Sequence, residues 1–189
     1  SGINPIAMSP VGAQGLWQFM PGTGRDYGLT INEYVDERLD PAKSTEAACL
    51  FLKDLFAMFK NWPLALAAYN CGPGNVRRAI RRSGYKKTFW QIYRYLPRET
   101  RSYVPQFMAI NYVMRYAGEH NLQGDYYDHY QHTDTVILKD YTNLDTLAKY
   151  LNICHDDIVR LNPELLKNVV PTSLTNYKLI LPKYSAELL

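Results

Sequence analysis

The run Leu64-Ala65-Leu66-Ala67-Ala68-Tyr69-Asn70 restricts the fold of this chain more than any other segment. It is rich in good helix formers and has no polar position before its last two residues. A helix made from it must be shielded on every side, which places it in the middle of a bundle. Trp62-Pro63 opens it with proline in the first turn, where a missing N–H costs nothing. Gly72-Pro73-Gly74 closes it sharply. The alanines let neighbouring helices approach, and Tyr69 is the one bulky member with a polar tip. A buried hydroxyl needs a partner, so Tyr69 is a candidate for more than packing.

The segments around it supply the bundle. From Ser9 to about Gly118 the pattern is helical, broken at intervals by Gly and Pro. Asp40-Pro41 combines a cap with a first-turn proline, and Ala48, Leu52, Leu55 and Phe59 follow at helical steps. A basic helix is predicted over residues 75–82, another over 89–95, and a long one over 99–116. The last carries Tyr103, Phe107, Ile110 and Met114 along one side, with Pro105 in its first turns. Residues 121–133 have no period and are expected to form a linker. Beyond it the grammar changes to a strand at 135–138, short helices at 144–151 and 156–161, and an alternating strand at 177–181.

Composition bounds the function. The 189 residues suffice for one moderate domain plus a small module, and 47% apolar with 21% charged residues is an ordinary globular balance. A net charge of +3 without a sustained basic stripe sets nucleic acid aside as a partner. Arg77, Arg78, Arg81 and Arg82 form the one local basic cluster, suited either to an anionic polymer or simply to solvent. Sixteen tyrosines, three tryptophans and six phenylalanines offer rings on which sugars stack, although most will fill the core. Cys49, Cys71 and Cys154 are odd in number and without a C-x-x-C pair, so neither a zinc site nor a complete disulfide framework is expected. His129 and His132, beside Asp128 and Asp134, have metal-compatible spacing but lack further ligands, and belong to the linker. No metal or cofactor is expected. No apolar stretch is long enough to span a bilayer, and the opening Ser1-Gly2-Ile3-Asn4-Pro5 has no helix start signal, which leaves room for a signal peptide or lipid anchor upstream.

Several motifs now fall into an order. Ser1-Gly2-Ile3-Asn4-Pro5, Ser9-Pro10-Val11-Gly12-Ala13 and Gly15-Leu16-Trp17-Gln18-Phe19-Met20-Pro21 are followed by Ala67-Ala68-Tyr69-Asn70, Gly72-Pro73-Gly74, and Glu99-Thr100-Arg101 with Tyr103-Val104. Over about 120 residues this series resembles the soluble lytic transglycosylase family, a relative of goose-type lysozyme. Trp17, Asp36-Glu37-Arg38 and Asp40-Pro41 look most like the branch typified by membrane-bound lytic murein transglycosylase D. The resemblance implies a mainly α fold: a lysozyme-like all-helical domain over residues 1–120, acting on peptidoglycan glycan strands in the bacterial periplasm or cell envelope.

It also implies a mechanism. Most glycosidases use two carboxylates; this family uses one glutamate, which first protonates the leaving oxygen and then removes a proton from the C6 hydroxyl of N-acetylmuramic acid. The hydroxyl closes on its own sugar to give a 1,6-anhydro product. Intramolecular attack of this kind is worth up to about 7–11 kcal/mol in well-oriented systems. In the family the glutamate stands immediately before the serine matched by Ser1, so no catalytic acid is assigned within these residues and the fragment alone is expected to be nearly inactive. Asp40 reads as a cap, and Asp36 and Glu37 as loop charges. The resemblance gives Tyr69 a supporting role near the carboxylate or the substrate, and Ser9, Gln18, Met20, Asn70, Glu99 and Tyr103 roles in lining or binding the sugar. Ser9-Pro10 reads equally as a helix cap, Asn70 as a helix end, and Gly12, Gly15, Gly72 and Gly74 as structural.

The C-terminal segments Leu144–Leu151, Asp156–Pro163 and Tyr177–Pro182 resemble a LysM module, an α+β unit of βααβ order that binds N-acetylglucosamine-containing glycans, expected here over residues 134–184. The departure lies at Asp140-Tyr141-Thr142-Asn143-Leu144, where that family has Gly-Asp-Thr-Leu, so glycan binding and a purely structural role both stay open. Two further readings stay open for the whole: a hydrolytic lysozyme, in which water attacks, and a non-catalytic glycan-binding scaffold.

Overall fold

The computed structural model describes residues 2–124 and 133–183. They fall into two compact units, one formed by the chain up to Ala48 together with the C-terminal segment, the other beginning at Cys49 and ending in the 121–126 stretch. The helices are α1 (Pro21–Asp26), α2 (Pro41–Phe59), α3 (Trp62–Cys71), α4 (Pro73–Arg82), α5 (Phe89–Ile92) and α6 (Arg98–Arg115), with a 3-10 turn at Tyr93–Tyr95 between the last two. After residue 132 come β1 (Thr133–Leu138), β2 (Thr142–Asn143), α7 (Leu144–Leu151), α8 (His155–Leu161), β3 (Val169–Val170) and β4 (Tyr177–Pro182).

The second unit is built on α3. Leu64 through Ala68 are all buried, as an all-apolar helix requires. Asn61 starts the helix by accepting a hydrogen bond from the Leu64 amide at 3.1 Å. Gly72, at φ +85, ends it and at the same time precedes Pro73 of α4, so one residue in a conformation suited to glycine serves two helices. Leu55 of α2, Val76 and Ala79 of α4, Phe89 and Ile92 of α5, Leu96, and Val104 of α6 complete this core. Leucines buried to this degree each stabilise by about 1.5–3 kcal/mol. The α6 helix departs from expectation. Only Thr100 and Val104 are buried, whereas Phe107, Ile110 and Met114 are exposed. Pro105 stands inside the helix rather than in its opening turns.

In the first unit, residues 3–20 are not helical. The chain makes isolated antiparallel bridges between Met8 and Gln14 and between Gln14 and Phe19, through Gly12 at φ +87, Gly15 at φ +82 and Gln18 at φ +53. Three left-handed positions in seven residues break any helical run. Gly15 is required for a second reason: a Cβ there would lie 1.8 Å from the Arg38 carbonyl oxygen. Arg38 holds this loop together. Its guanidinium, buried with Asp36, donates to the Gly12 carbonyl at 2.9 Å and the Phe19 carbonyl at 3.1 Å, and pairs with the Asp36 carboxylate at 2.6 Å. Asp36 is therefore not a loop charge; it is 3% exposed and half of a buried ion pair.

The C-terminal part of this unit pairs β1 with β4 antiparallel, Thr133 opposite Pro182 and Leu138 opposite Tyr177. The first strand thus begins two residues earlier than its sequence pattern suggests. A second small ladder, β2 with β3, has too few residues to leave a periodic signal. Leu144, Leu147 and Leu151 of α7, Ile158 of α8, Val170, and Leu179 and Leu181 of β4 form the core of this part. It is joined to the early chain by an antiparallel bridge between Val35 and Leu165, in which the Asp36 amide donates to the Glu164 carbonyl at 2.9 Å and the Leu166 amide to the Tyr34 carbonyl at 2.8 Å. Beside this bridge the Tyr177 hydroxyl donates to the buried Glu164 carboxylate.

Candidate functional site

Four of the sequence candidates are brought together in the second unit. Tyr69 and Asn70 end α3, while Glu99 and Tyr103 lie one helical turn apart at the start of α6. The Asn70 side-chain amide donates to Glu99 Oε1 at 3.2 Å and its carbonyl accepts from the Thr100 hydroxyl at 2.7 Å. Thr100 is fully buried. The Glu99 carboxylate only accepts, so it takes the Asn70 NH2 group, and the Thr100 hydroxyl turns its proton to the amide carbonyl and holds it in that orientation. Asn70 does more than end its helix. Glu99 itself occupies the first turn of α6, where the positive end of the helix dipole favours a carboxylate.

Tyr69 is half-buried, its ring 5.2 Å from that of Phe51. Burial pushes its phenol well above the ordinary range, and the nearby Tyr103 adds to this. Burial raises the Tyr103 phenol too. Both stay protonated at neutral pH and can donate a hydrogen bond to a substrate oxygen or a carboxylate. Next to them burial raises the Cys71 thiol, with the Thr100 hydroxyl acting in the opposite direction and the Glu99 carboxylate in the same one. A raised thiol is a poor nucleophile. The chemistry available to this cluster is hydrogen bonding by neutral donors around one solvent-facing carboxylate.

Ser9, Gln18 and Met20 belong to the first unit. The Ser9 hydroxyl accepts from the Ala13 amide at 2.9 Å, which caps a turn and not the start of a helix. Gln18 donates its side-chain amide to the Ala7 carbonyl at 3.1 Å and the Gly15 carbonyl at 2.8 Å. Its nitrogen is committed to the loop, and the side-chain carbonyl is the group left to face a ligand. Met20 is 45% exposed at the N-terminus of α1, an apolar surface held by a short helix. Trp17 donates from its indole to the Thr45 hydroxyl at 2.8 Å, and with Ile3, Leu16 and Thr45 it lines a hollow of about 250 Å³. In the C-terminal part, Tyr141, Thr142, Asn143, Thr146, Leu147 and Tyr150 line an open groove of about 440 Å³. This groove lies along the divergent turn, where Asn143 caps α7 by accepting from the Thr146 amide at 3.0 Å.

Arg38, Thr100 and the Glu164–Tyr177 pair have no counterpart among the sequence candidates. Each acts on a partner distant in sequence, or through a backbone carbonyl, and neither leaves a local pattern. His129 and His132 lie outside the described residues. Among the described residues no group of His, Cys, Asp and Glu is arranged to hold a metal ion, and no helix is long and apolar enough to cross a membrane.

Residues 1–92 match the family described as the transglycosylase SLT domain, and residues 132–189 the one described as the LysM-like domain of lytic transglycosylase MltD. The chain is 40% identical over 119 residues to membrane-bound lytic murein transglycosylase D of Escherichia coli strain K12, covering 61% of this chain and 26% of that protein. It is 33% identical over 119 residues to soluble lytic murein transglycosylase of the same strain, covering 60% of this chain and 18% of that protein. The crystal structure of the 70 kDa soluble lytic transglycosylase of Escherichia coli superimposes with a TM-score of 0.51 at 33% identity, over 62% of this chain and 20% of that one. The chain thus spans 26% or less of the length of these relatives.

Proposed function

We propose that this chain, which belongs through residues 1–92 to the transglycosylase SLT domain family and through residues 132–189 to the MltD-type LysM-like domains, serves a lytic transglycosylase of the bacterial cell envelope. Its substrate is peptidoglycan. It cleaves the β-1,4 bond between N-acetylmuramic acid and N-acetylglucosamine, and the C6 hydroxyl of the muramic acid closes to the 1,6-anhydro ring. The functional division runs between a lysozyme-like catalytic region to about residue 120 and a glycan-binding module of LysM type over about residues 134–184.

The observation that carries this reading is the group of Tyr69, Asn70, Glu99 and Thr100, in which the Thr100 hydroxyl holds the Asn70 amide against an exposed carboxylate and burial keeps the neighbouring Tyr69 phenol protonated. In the reaction the family's motif supplies the acid as a glutamate directly ahead of the serine matched by Ser1. In the second unit Tyr69 donates a hydrogen bond to the substrate, while Asn70 and Glu99 bind sugar hydroxyls and Tyr103 offers ring and hydroxyl. Gln18 accepts from the sugar through its side-chain carbonyl, Ser9 holds the loop carrying Gln18, and Met20 forms an apolar wall.

The test uses the chain extended by one glutamate before Ser1, with and without Tyr69→Phe, and follows product by mass. Release of a product lighter by one water than the hydrolytic one distinguishes transglycosylation from lysozyme action. Tyr69→Phe should lower the rate by about 10²-fold, the low end for a positioned proton-handling group, while changing stability by only about 1 kcal/mol. An unchanged rate with a lowered melting point would assign Tyr69 to the core and remove the main support for this reading.

A further inference from the structure

Residues 77–101 hold nine of the chain's 21 basic residues and one of its 18 acidic ones, although the whole chain nets only +3. This concentration belongs to a single stretch of the second unit, from α4 through α5 and the 3-10 turn into α6. On α4 the Val76 and Ala79 side is buried, and Arg77, Arg78, Arg81 and Arg82 form the exposed side. Lys86 and Lys87 follow, also exposed.

The aromatic residues of the same stretch are arranged as a platform. Trp90 is 62% exposed and stacks on Tyr93, with ring centroids 6.0 Å apart and planes 25° from parallel. The buried Phe89 meets both edge-on, at 5.1 Å from Trp90 and 5.8 Å from Tyr93, and fixes the pair from beneath. Cations border these rings: Arg82 lies 5.7 Å from the centre of the Tyr95 ring and Arg101 5.8 Å from that of Tyr93. An exposed Trp on a fixed support, with guanidinium groups against the adjoining Tyr93 and Tyr95, suits a ligand with both apolar faces and regularly spaced anions.

Resting on the function proposed above, we infer that this α4–α5 face is a second, non-catalytic docking surface for the substrate polymer. Peptidoglycan presents both features together, since pyranose rings have apolar C–H faces and the peptide stems end in carboxylates. Trp90 stacks against a sugar, and the α4 arginines take the stem carboxylates, whose planar geometry their forked donors match. Charge complementarity favours this polymer over neutral glycans. The consequence is retention: an enzyme held on the wall between cleavages by contacts that do not involve the Tyr69–Glu99 cluster.

The test is co-sedimentation of the chain with purified peptidoglycan sacculi, with uncharged chitin and anionic phospholipid vesicles as comparison probes. Arg81→Glu/Arg82→Glu should weaken sacculus binding about tenfold at low salt, with the difference shrinking as salt is raised. Binding to chitin should be unaffected. Trp90→Ala should weaken binding to both glycans. These positions are exposed, and the milder Arg81→Gln/Arg82→Gln, expected to lose less, guards against a folding defect, which far-UV circular dichroism checks. Sacculus affinity unchanged by the arginine reversals, an equal loss on chitin, or stronger binding to the vesicles than to sacculi would overturn the inference. Turnover of a soluble, peptide-free glycan by the glutamate-extended chain should be the same with and without the arginine changes. A failure of docking and a failure of the proposed reaction are therefore read in separate assays.

Discussion

Replacing Arg38 by methionine removes a guanidinium and keeps a stem of similar length. The guanidinium donates to Asp36, to the Gly12 and Phe19 carbonyls and to the Gln14 side chain, all around a site where Arg38 itself is 5% exposed and Asp36 3%. Without it, Asp36 keeps one short-range donor, the Arg38 amide at 3.1 Å, and its charge stays out of water. Breaking one side of such a buried pair costs about 3–5 kcal/mol, because the remaining charge is uncompensated. The double change Asp36→Asn/Arg38→Met should be less costly than the single one, since no buried charge is left behind. Urea unfolding followed through backbone amide signals assigns the loss to the correct unit, in which the Gln14 and Phe19 amides, bonded to each other's carbonyls, report on the loop. A single variant within about 1 kcal/mol of the parent, the range of exposed ion pairs, would refute the reasoning. So would a double variant no better than the single.

Burial raises the Glu164 carboxyl above its ordinary value of 4.5, against the opposing hydrogen bonds from Tyr177 and the backbone. The folded state therefore holds that proton more tightly than the unfolded one, and the associated stability is complete below pH 4.5 and lost as pH rises through the folded value. Glu164→Gln should accordingly flatten the fall in melting temperature on going from acid to neutral pH; superimposable profiles for the two proteins would contradict it. At Thr100, valine removes the donor that orients Asn70 and serine retains it. In the glutamate-extended chain Thr100→Val should raise KM for glycan about tenfold with Thr100→Ser close to the parent, matching one hydrogen bond of roughly 1–1.5 kcal/mol; equal kinetics for valine and serine would make Thr100 a packing residue only.

The parts of this fold that sequence reveals are those whose cause is local. Every position of Leu64–Ala68 faces protein, and proline and glycine mark the ends, so α3 could be read residue by residue. The loop of residues 3–20 could not, because its shape depends on an arginine some twenty residues further on and on Gln18 adopting φ +53. In α6, Phe107, Ile110 and Met114 do recur at helical steps, but a period shows that residues share a side, not that a neighbour covers it. The site divides the same way. Tyr69 is conspicuous as the polar-tipped member of an apolar run, whereas Thr100 gives no sign of its partner thirty residues earlier.

The bridge between Val35 and Leu165 has a consequence for how the protein is made. A ribosome adds about 5–20 residues per second, so the Tyr34 carbonyl and Asp36 amide emerge several seconds or more before the residues that will pair with them exist. During that interval every residue of the second unit's core, from Leu55 to Val104, is already present. Helices α3 to α6 can settle while the earlier loop waits, its edge open to solvent and to other nascent chains. Glu164, Leu165 and Leu166 arrive late, with β4 still to follow, and their pairing with residues 34–36 is a long-range closure of the kind that sets slow folding rates. A pause in translation after residue 115 would lengthen the period in which that edge stands uncovered.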